Sequence, residues 1–214
     1  MTIRHHIGDD LLLSYAAGSL SEGWSLAVAT HLAMCPDCRR RLAVAEAAGG
    51  EMLSSIAPAL PDAGSWEAVR GRLGRDAPVR IKPDFTGTAV LPRPLRDYIG
   101  DIDSLKWQSM GKAGAQLRIK TRDGSTQARL LRIPAGKPVP EHGHGGRELT
   151  VVLTGAFRDG ETIFGPGDVE DADAEIEHQP IATEDADCIC LAVTDAPLHF
   201  RSWLVRLVQP ILGI

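Results

Sequence analysis

The sequence predicts an α+β protein of two domains, a small helical bundle followed by a β sandwich or barrel. Three observations carry that expectation. Residues 9–75 are rich in Ala and Leu, with apolar positions at helical spacing. The stretch from Gly74 to Pro94 holds Pro78, Pro83, Pro92 and Pro94 and has little periodicity, as a linker would. Beyond it, short apolar runs alternate with Gly- and Pro-rich turns. The 214 residues suffice for this layout, with a helical domain over 1–75, a Pro-rich linker over 76–94 and a β domain over 95–214.

Within the first domain, Asp9 or Asp10 is placed to cap a helix through Leu11, Leu12, Leu13, Tyr15 and Ala16, ended by Gly18. Ser21 is placed to cap a second helix from Glu22 to about Met34, with Trp24, Ala27, Val28 and Leu32 on one face. Pro36 suits the first turn of a third helix, which Gly49-Gly50 is expected to stop after Ala48. A shorter fourth helix is expected around Trp66–Leu73. In the second domain the clearest strands are Ala128–Ile133, Glu148–Leu153 and Cys188–Val193. Turns fall at Pro134-Ala135-Gly136 and Gly165-Pro166-Gly167.

Composition narrows the function. A net charge of −5 argues against general nucleic-acid binding, which wants a basic surface. Residues 1–75 carry seven Lys/Arg against eight Asp/Glu, so no basic half is hidden in the average. The first ten residues lack a secretory pattern, and no apolar run reaches membrane-spanning length. A cytoplasmic protein is expected, in which thiols stay reduced and Cys–His clusters usually mean metal.

Such a cluster lies at residues 31–38, His-Leu-Ala-Met-Cys-Pro-Asp-Cys. His31 and Cys35 share a helix face, and Cys38 follows at Cys-x-x-Cys spacing. Three such ligands suit a tetrahedral zinc site that lacks a fourth, for which His5 and His6 are the N-terminal candidates. A redox Cys-Pro-x-Cys would want a βαβ setting, which the sequence does not offer. The pattern resembles the zinc-binding anti-sigma factors, whose signature is a histidine about 25 residues upstream of His-x₃-Cys-x₂-Cys. That resemblance implies zinc held by His6, His31, Cys35 and Cys38.

Residues 136–155 contain a second cluster. Gly136, His142, His144, Glu148 and Gly155 match every position of the first cupin motif, Gly-x₅-His-x-His-x₃₋₄-Glu-x₆-Gly. His142 and His144 alternate in an extended segment, so both imidazoles point to one side, and Glu148 enters from the next strand. The second cupin motif, laid on Gly167, puts a histidine at His178. It is degraded, with Asp173, Glu175 and Ala182 replacing its proline, inner glycine and asparagine. The resemblance implies a jelly-roll domain with a metal at His142, His144, Glu148 and His178. Three nitrogens and a carboxylate suit zinc or another divalent metal.

The two domains together resemble the ChrR-type anti-sigma factors. This implies a helical domain that binds an extracytoplasmic-function (group IV) sigma factor and keeps it from core RNA polymerase. It also implies a cupin domain needed for release on singlet oxygen or organic hydroperoxide. Candidate contact residues are Leu12, Leu13, Tyr15, Ala16, Trp66, Val69 and Leu73, each of which could equally be core. The rival is an enzyme, a metal-dependent cupin dioxygenase or isomerase with an attached zinc domain. Cys188 and Cys190, two apart on one strand, read first as buried core thiols and second as an oxidation-sensitive pair. His199 reads as a surface or packing residue. Trp203, Leu204, Leu207 and Val208 could form a face of a terminal helix.

Overall fold

The computed structural model describes residues 2–73, 91–100 and 105–200. Most of the expected linker, and the tail with Trp203, Leu204, Leu207 and Val208, lie outside the described residues. The helices are α1 (Asp9–Ala16), α2 (Glu22–Met34), α3 (Pro36–Ser54), α4 (Ser65–Leu73) and α5 (Arg93–Ile99). After α5 come short strands β1 (Gln108–Ser109), β2 (Ala115–Ile119), β3 (Gln127–Ile133), β4 (His142–His144), β5 (Glu148–Thr154) and β6 (Phe157–Asp159). They continue through β7 (Thr162–Phe164), β8 (Val169–Ala172), β9 (Glu177–His178), β10 (Ile181–Ala182), β11 (Cys188–Thr194) and β12 (Leu198–Phe200). None of the described helices is long and apolar enough to cross a membrane.

Three helix boundaries differ from expectation. Gly8, not an aspartate, is the N-cap of α1, and Asp9 and Asp10 fill its first turn, where carboxylates complement the helix dipole. Gly49 and Gly50 do not stop α3, because neither takes the positive φ of a helix-ending glycine and Glu51, Met52 and Leu53 favour continuation. Pro92 and Pro94, read as linker, open α5, since a proline in the first helical turn sacrifices no hydrogen bond. Cys35 behaves as the spacing suggested. Its extended backbone breaks α2, and its sulfur accepts the Cys38 N–H at the start of α3.

A six-stranded antiparallel sheet, in the order β1-β2-β3-β11-β5-β8, forms one wall of the cupin domain. Two three-stranded sheets, β10-β6-β7 and β12-β4-β9, complete the fold. The central strands β5 and β11 are buried on both faces. On β5, Leu149, Val151 and Leu153 pack with residues of α1 and α2, while Val152 joins Phe157, Phe164, Cys188 and Cys190 in a second core. The period of two in a strand produces this division. The helical part therefore packs on the outer face of the sheet, and Leu26, Ala27, Val28 and Leu32 of α2 share one core with Leu130, Leu191 and Val193.

Helix α2 makes the closest approach to the sheet. A Cβ placed on Gly23 would stand 2.1 Å from Thr126 Oγ1 and 3.2 Å from Val193 Cγ1. The helix N-terminus is also held from the sheet side. The Glu22 N–H donates to Asp123 Oδ2 at 2.6 Å, whereas the hydroxyl of Ser21, its N-cap residue, makes no capping bond. Ala is the better helix former by about 1 kcal/mol. Gly23→Ala is nonetheless expected to destabilise the chain by about 1–3 kcal/mol through overpacking, read as a lower midpoint in urea. An unchanged or raised midpoint would refute this packing.

Two candidate metal centres

The corner between α2 and α3 gathers the first set of ligands. His31 lies in the last turn of α2, Cys35 forms the break and Cys38 sits in the first turn of α3; all three are fully buried. His6 arrives from the segment before α1, with its Nδ1 3.3 Å from Cys35 Sγ and 3.6 Å from Cys38 Sγ. One ligand atom from each of the four lies within 4.8 Å of the others. His5 is turned away, its ring 4.6 Å from that of Phe164.

The donors fit a metal. His31 Nδ1 donates to the Gly167 carbonyl at 2.8 Å, which leaves Nε2 with the lone pair, buried and without a hydrogen-bond partner. Burial pushes the His31 pKa down to about 4, so the ring is neutral, as a ligand must be. Burial beside Cys35 raises the Cys38 thiol, which a cation would reverse. Arg41 already reaches this sulfur, at 3.5 Å from Nη1, while also donating to the Ile7 carbonyl. Two sulfurs and two imidazoles in a closed, mostly buried set make a structural arrangement, with no position left for substrate.

The second set lies inside the cupin fold. In the sheet β12-β4-β9, His142 on β4 is paired with His178 on β9, and His144 lies two residues along β4. His144 Nε2 is 3.0 Å from His178 Nε2, which is 3.3 Å from His142 Nε2. Three ring nitrogens converging this closely suit a shared cation better than hydrogen bonds among neutral rings. Glu148, at the start of β5, places a carboxylate oxygen 3.8 Å from His144 Nδ1 and accepts from the Thr150 hydroxyl. The four ligand atoms again lie within 4.8 Å of one another, and all four residues are buried.

The degraded second motif still makes its turn. Asp173, in place of proline, accepts the Glu175 N–H at its side chain and the Ile176 N–H at its carbonyl, so an Asx-type turn replaces the usual one. Residues that neither motif specifies complete the surroundings. His142 Nδ1 donates to the Pro140 carbonyl at 2.8 Å, and His178 Nδ1 faces Asp159 at 3.0 Å and Glu170 at 3.8 Å. Burial works against protonation of His178, but Glu170 and Asp159 outweigh it and raise its pKa. Neither carboxylate is marked as a partner in the sequence, because β6 and β8 belong to sheets other than that of β9 and their approach follows no local spacing.

A cavity of about 160 Å³ adjoins the cluster, bounded by His142, Glu148, Phe157, Cys190 and Phe200 among others. Cys188 and Cys190 are both free and buried in the inner core, and the hydrogen bond that the Cys190 thiol donates to Cys188, together with burial, pushes the Cys190 thiol well up. His199 is exposed on β12.

Three comparisons with known proteins bear on these clusters. Residues 95–197 match the family model of the ChrR cupin-like domain. The whole chain is 48% identical over 215 residues to the anti-sigma-E factor ChrR of Cereibacter sphaeroides, covering 100% of both chains. The structure resembles that of Rhodobacter sphaeroides SigE in complex with the anti-sigma ChrR, at a TM-score of 0.81 and 46% identity. That match covers 91% of this chain and 100% of the other.

The second cluster should bind cations with proton release. Burial holds the Glu148 pKa up at about 7, whereas burial lowers His142 and His144 to about 4. Around pH 6 these two imidazoles are neutral, but the Glu148 carboxyl and His178, whose pKa Glu170 and Asp159 raise, carry protons that they must lose to ligate. Zinc binding at this cluster should therefore release protons near pH 6 and strengthen as pH rises. Calorimetry in buffers of different ionisation enthalpy reads this, and Glu148→Gln should diminish the proton release; a pH-independent affinity in the unaltered protein would refute it.

Proposed function

The chain belongs to the ChrR family of anti-sigma factors, and from that membership we propose that it binds and occludes an extracytoplasmic-function sigma factor, releasing it on an oxidative signal. Full-length identity to a curated anti-sigma factor carries this reading. A structure that resembles this chain over 91% of its length, solved as a complex with a sigma factor, supports it. The same similarity weighs against a cupin dioxygenase or isomerase, which would have no need of the helical part. The protein acts in the cytoplasm, where a sigma factor meets polymerase, and contacts protein rather than nucleic acid.

Residues 1–75 supply the sigma-binding domain, 76–94 join it to the rest, and 95–214 form the sensing cupin domain. Occlusion needs exposed apolar surface, and the helical part has it. Trp66 is 63% exposed, and Val69 and Leu73 on α4 and Leu13 on α1 are exposed as well. Leu12, also a candidate contact, is core at 2% exposure. Val44, Met52 and Leu53 extend the apolar surface along α3. His6, His31, Cys35 and Cys38 hold zinc as a structural clip. His142, His144, Glu148 and His178 hold zinc or another divalent metal, which when bound supplies a centre that an oxidant can alter.

Sensing by the cupin requires that a change at its cluster reach the helices. The shared core between α2 and the outer sheet face is the route, because movement of β5 or β11 alters the surface on which α2 rests.

Coexpression with the cognate sigma factor should copurify the two proteins. Trp66→Glu should weaken the complex at least 10-fold while leaving the fold intact, since the side chain is exposed and central hot spots favour Trp. His142→Ala should keep sigma binding but abolish release by organic hydroperoxide in a pull-down assay. Release persisting in that variant would remove the cupin cluster from sensing, and failure of the unaltered proteins to copurify would sink the anti-sigma reading.

A further inference from the structure

The turn Gly165–Asp168 joins β7 to β8, yet much of its bonding is with the N-terminal segment. The Gly167 carbonyl accepts from His31 Nδ1 at 2.8 Å. Asp168 Oδ1 accepts the Arg4 N–H at 2.6 Å and the His5 N–H at 2.8 Å. Asp168 Oδ2 accepts the Gly165 N–H at 2.8 Å, which braces the turn itself, and the Val169 N–H donates to the His5 carbonyl at 3.2 Å. Asp168 is 4% exposed, so these bonds are made away from water and count for more. Gly167 has φ +91°, and a Cβ there would stand 2.5 Å from Ile3 Cδ1, so the close approach requires glycine.

We propose that this cupin turn is the outer shell of the helical metal cluster, with the Gly167 carbonyl and the Asp168 carboxylate positioning two of its four ligands. Gly167 fixes the tautomer and rotation of His31, and Asp168 fixes the backbone from which His6 projects. Cys35 and Cys38 need no such help, because the α2–α3 corner holds them both. The helical cluster then keeps its ion firmly only while the cupin turn is in place. From this turn β8 runs on to Glu170, which faces His178, so the two clusters are linked by one short strand. Outer-shell partners orient metal-ligating histidines, and losing one typically costs about 10- to 100-fold in metal affinity.

The proposal rests on reading His6, His31, Cys35 and Cys38 as a metal site, and cobalt(II) separates the two ideas. Cobalt bound by Cys35 and Cys38 gives a thiolate charge-transfer band, whereas the cupin cluster has no sulfur ligand. In the full-length protein loaded with cobalt, Asp168→Ala should lose this band to a competing chelator at about 10- to 100-fold lower chelator concentration. Asp168→Asn, which keeps one acceptor oxygen, should fall between the variant and the unaltered protein. Tyr98→Phe, which breaks the 2.7 Å bond from Tyr98 Oη to Glu22 on α2, should retain the band normally. Absence of the band in the unaltered protein would overturn the metal reading and the proposal with it. A normal band with equal retention in Asp168→Ala would overturn the proposal alone. So would matching loss in Tyr98→Phe, or loss of cobalt from both clusters in both Asp168 variants.

Discussion

A strand that is buried on both faces needs cover on both, and β5 and β11 impose that requirement on the whole molecule. Their inner residues close the cupin core around Val152, Phe157 and Cys190. Their outer residues, Leu149, Val151, Leu191 and Val193, would face water if the helices left. At about 25 cal/mol per Å² of apolar surface, cover over several large side chains is worth several kcal/mol. Helix α2 provides it, and Gly23 allows the helix to come near enough. The helical part and the cupin are therefore distinct in composition but continuous in packing.

Polar contacts at the edge of this layer fix the orientation that apolar packing leaves loose. Arg147 forms paired bonds with Asp171 on β8 and reaches Asp10 on α1 at 2.8 Å. These carboxylates hold the guanidinium charged, and Arg147 in turn keeps the Asp10 carboxyl below its usual range. Such partly exposed pairs contribute little stability and are weakened by salt. Their value is directional, because Arg147, just before β5, ties Asp10 on α1 to Asp171 on β8. The Gly165–Asp168 turn does the same with buried bonds to His31 and to the backbone just before His6.

Both candidate metal centres were legible as residue lists, for a simple physical reason. Ligands on one helix corner, or two apart on one strand, keep fixed spacings in the sequence, as in His31, Cys35 and Cys38 and in His142 and His144. His178 was found despite a degraded motif, because its distance from Gly167 survived. Ligand partners brought by distant strands had no such mark. Asp159 on β6 and Glu170 on β8 come from two other sheets to meet His178 on β9. The end of α3 was misplaced because glycine weakens a helix without being obliged to end it.

By itself, the sequence determined the two unlike halves, the order of their elements, the residue types of both clusters and a resemblance to anti-sigma factors. Local spacing and periodicity depend on near neighbours, so one sequence carries them. Only the tertiary structure decided that the halves share a core, that Asp168 accepts the His5 N–H, and that a cupin carbonyl holds His31. Each of those depends on groups more than 20 residues apart meeting within a few ångströms, and no local pattern encodes such a meeting.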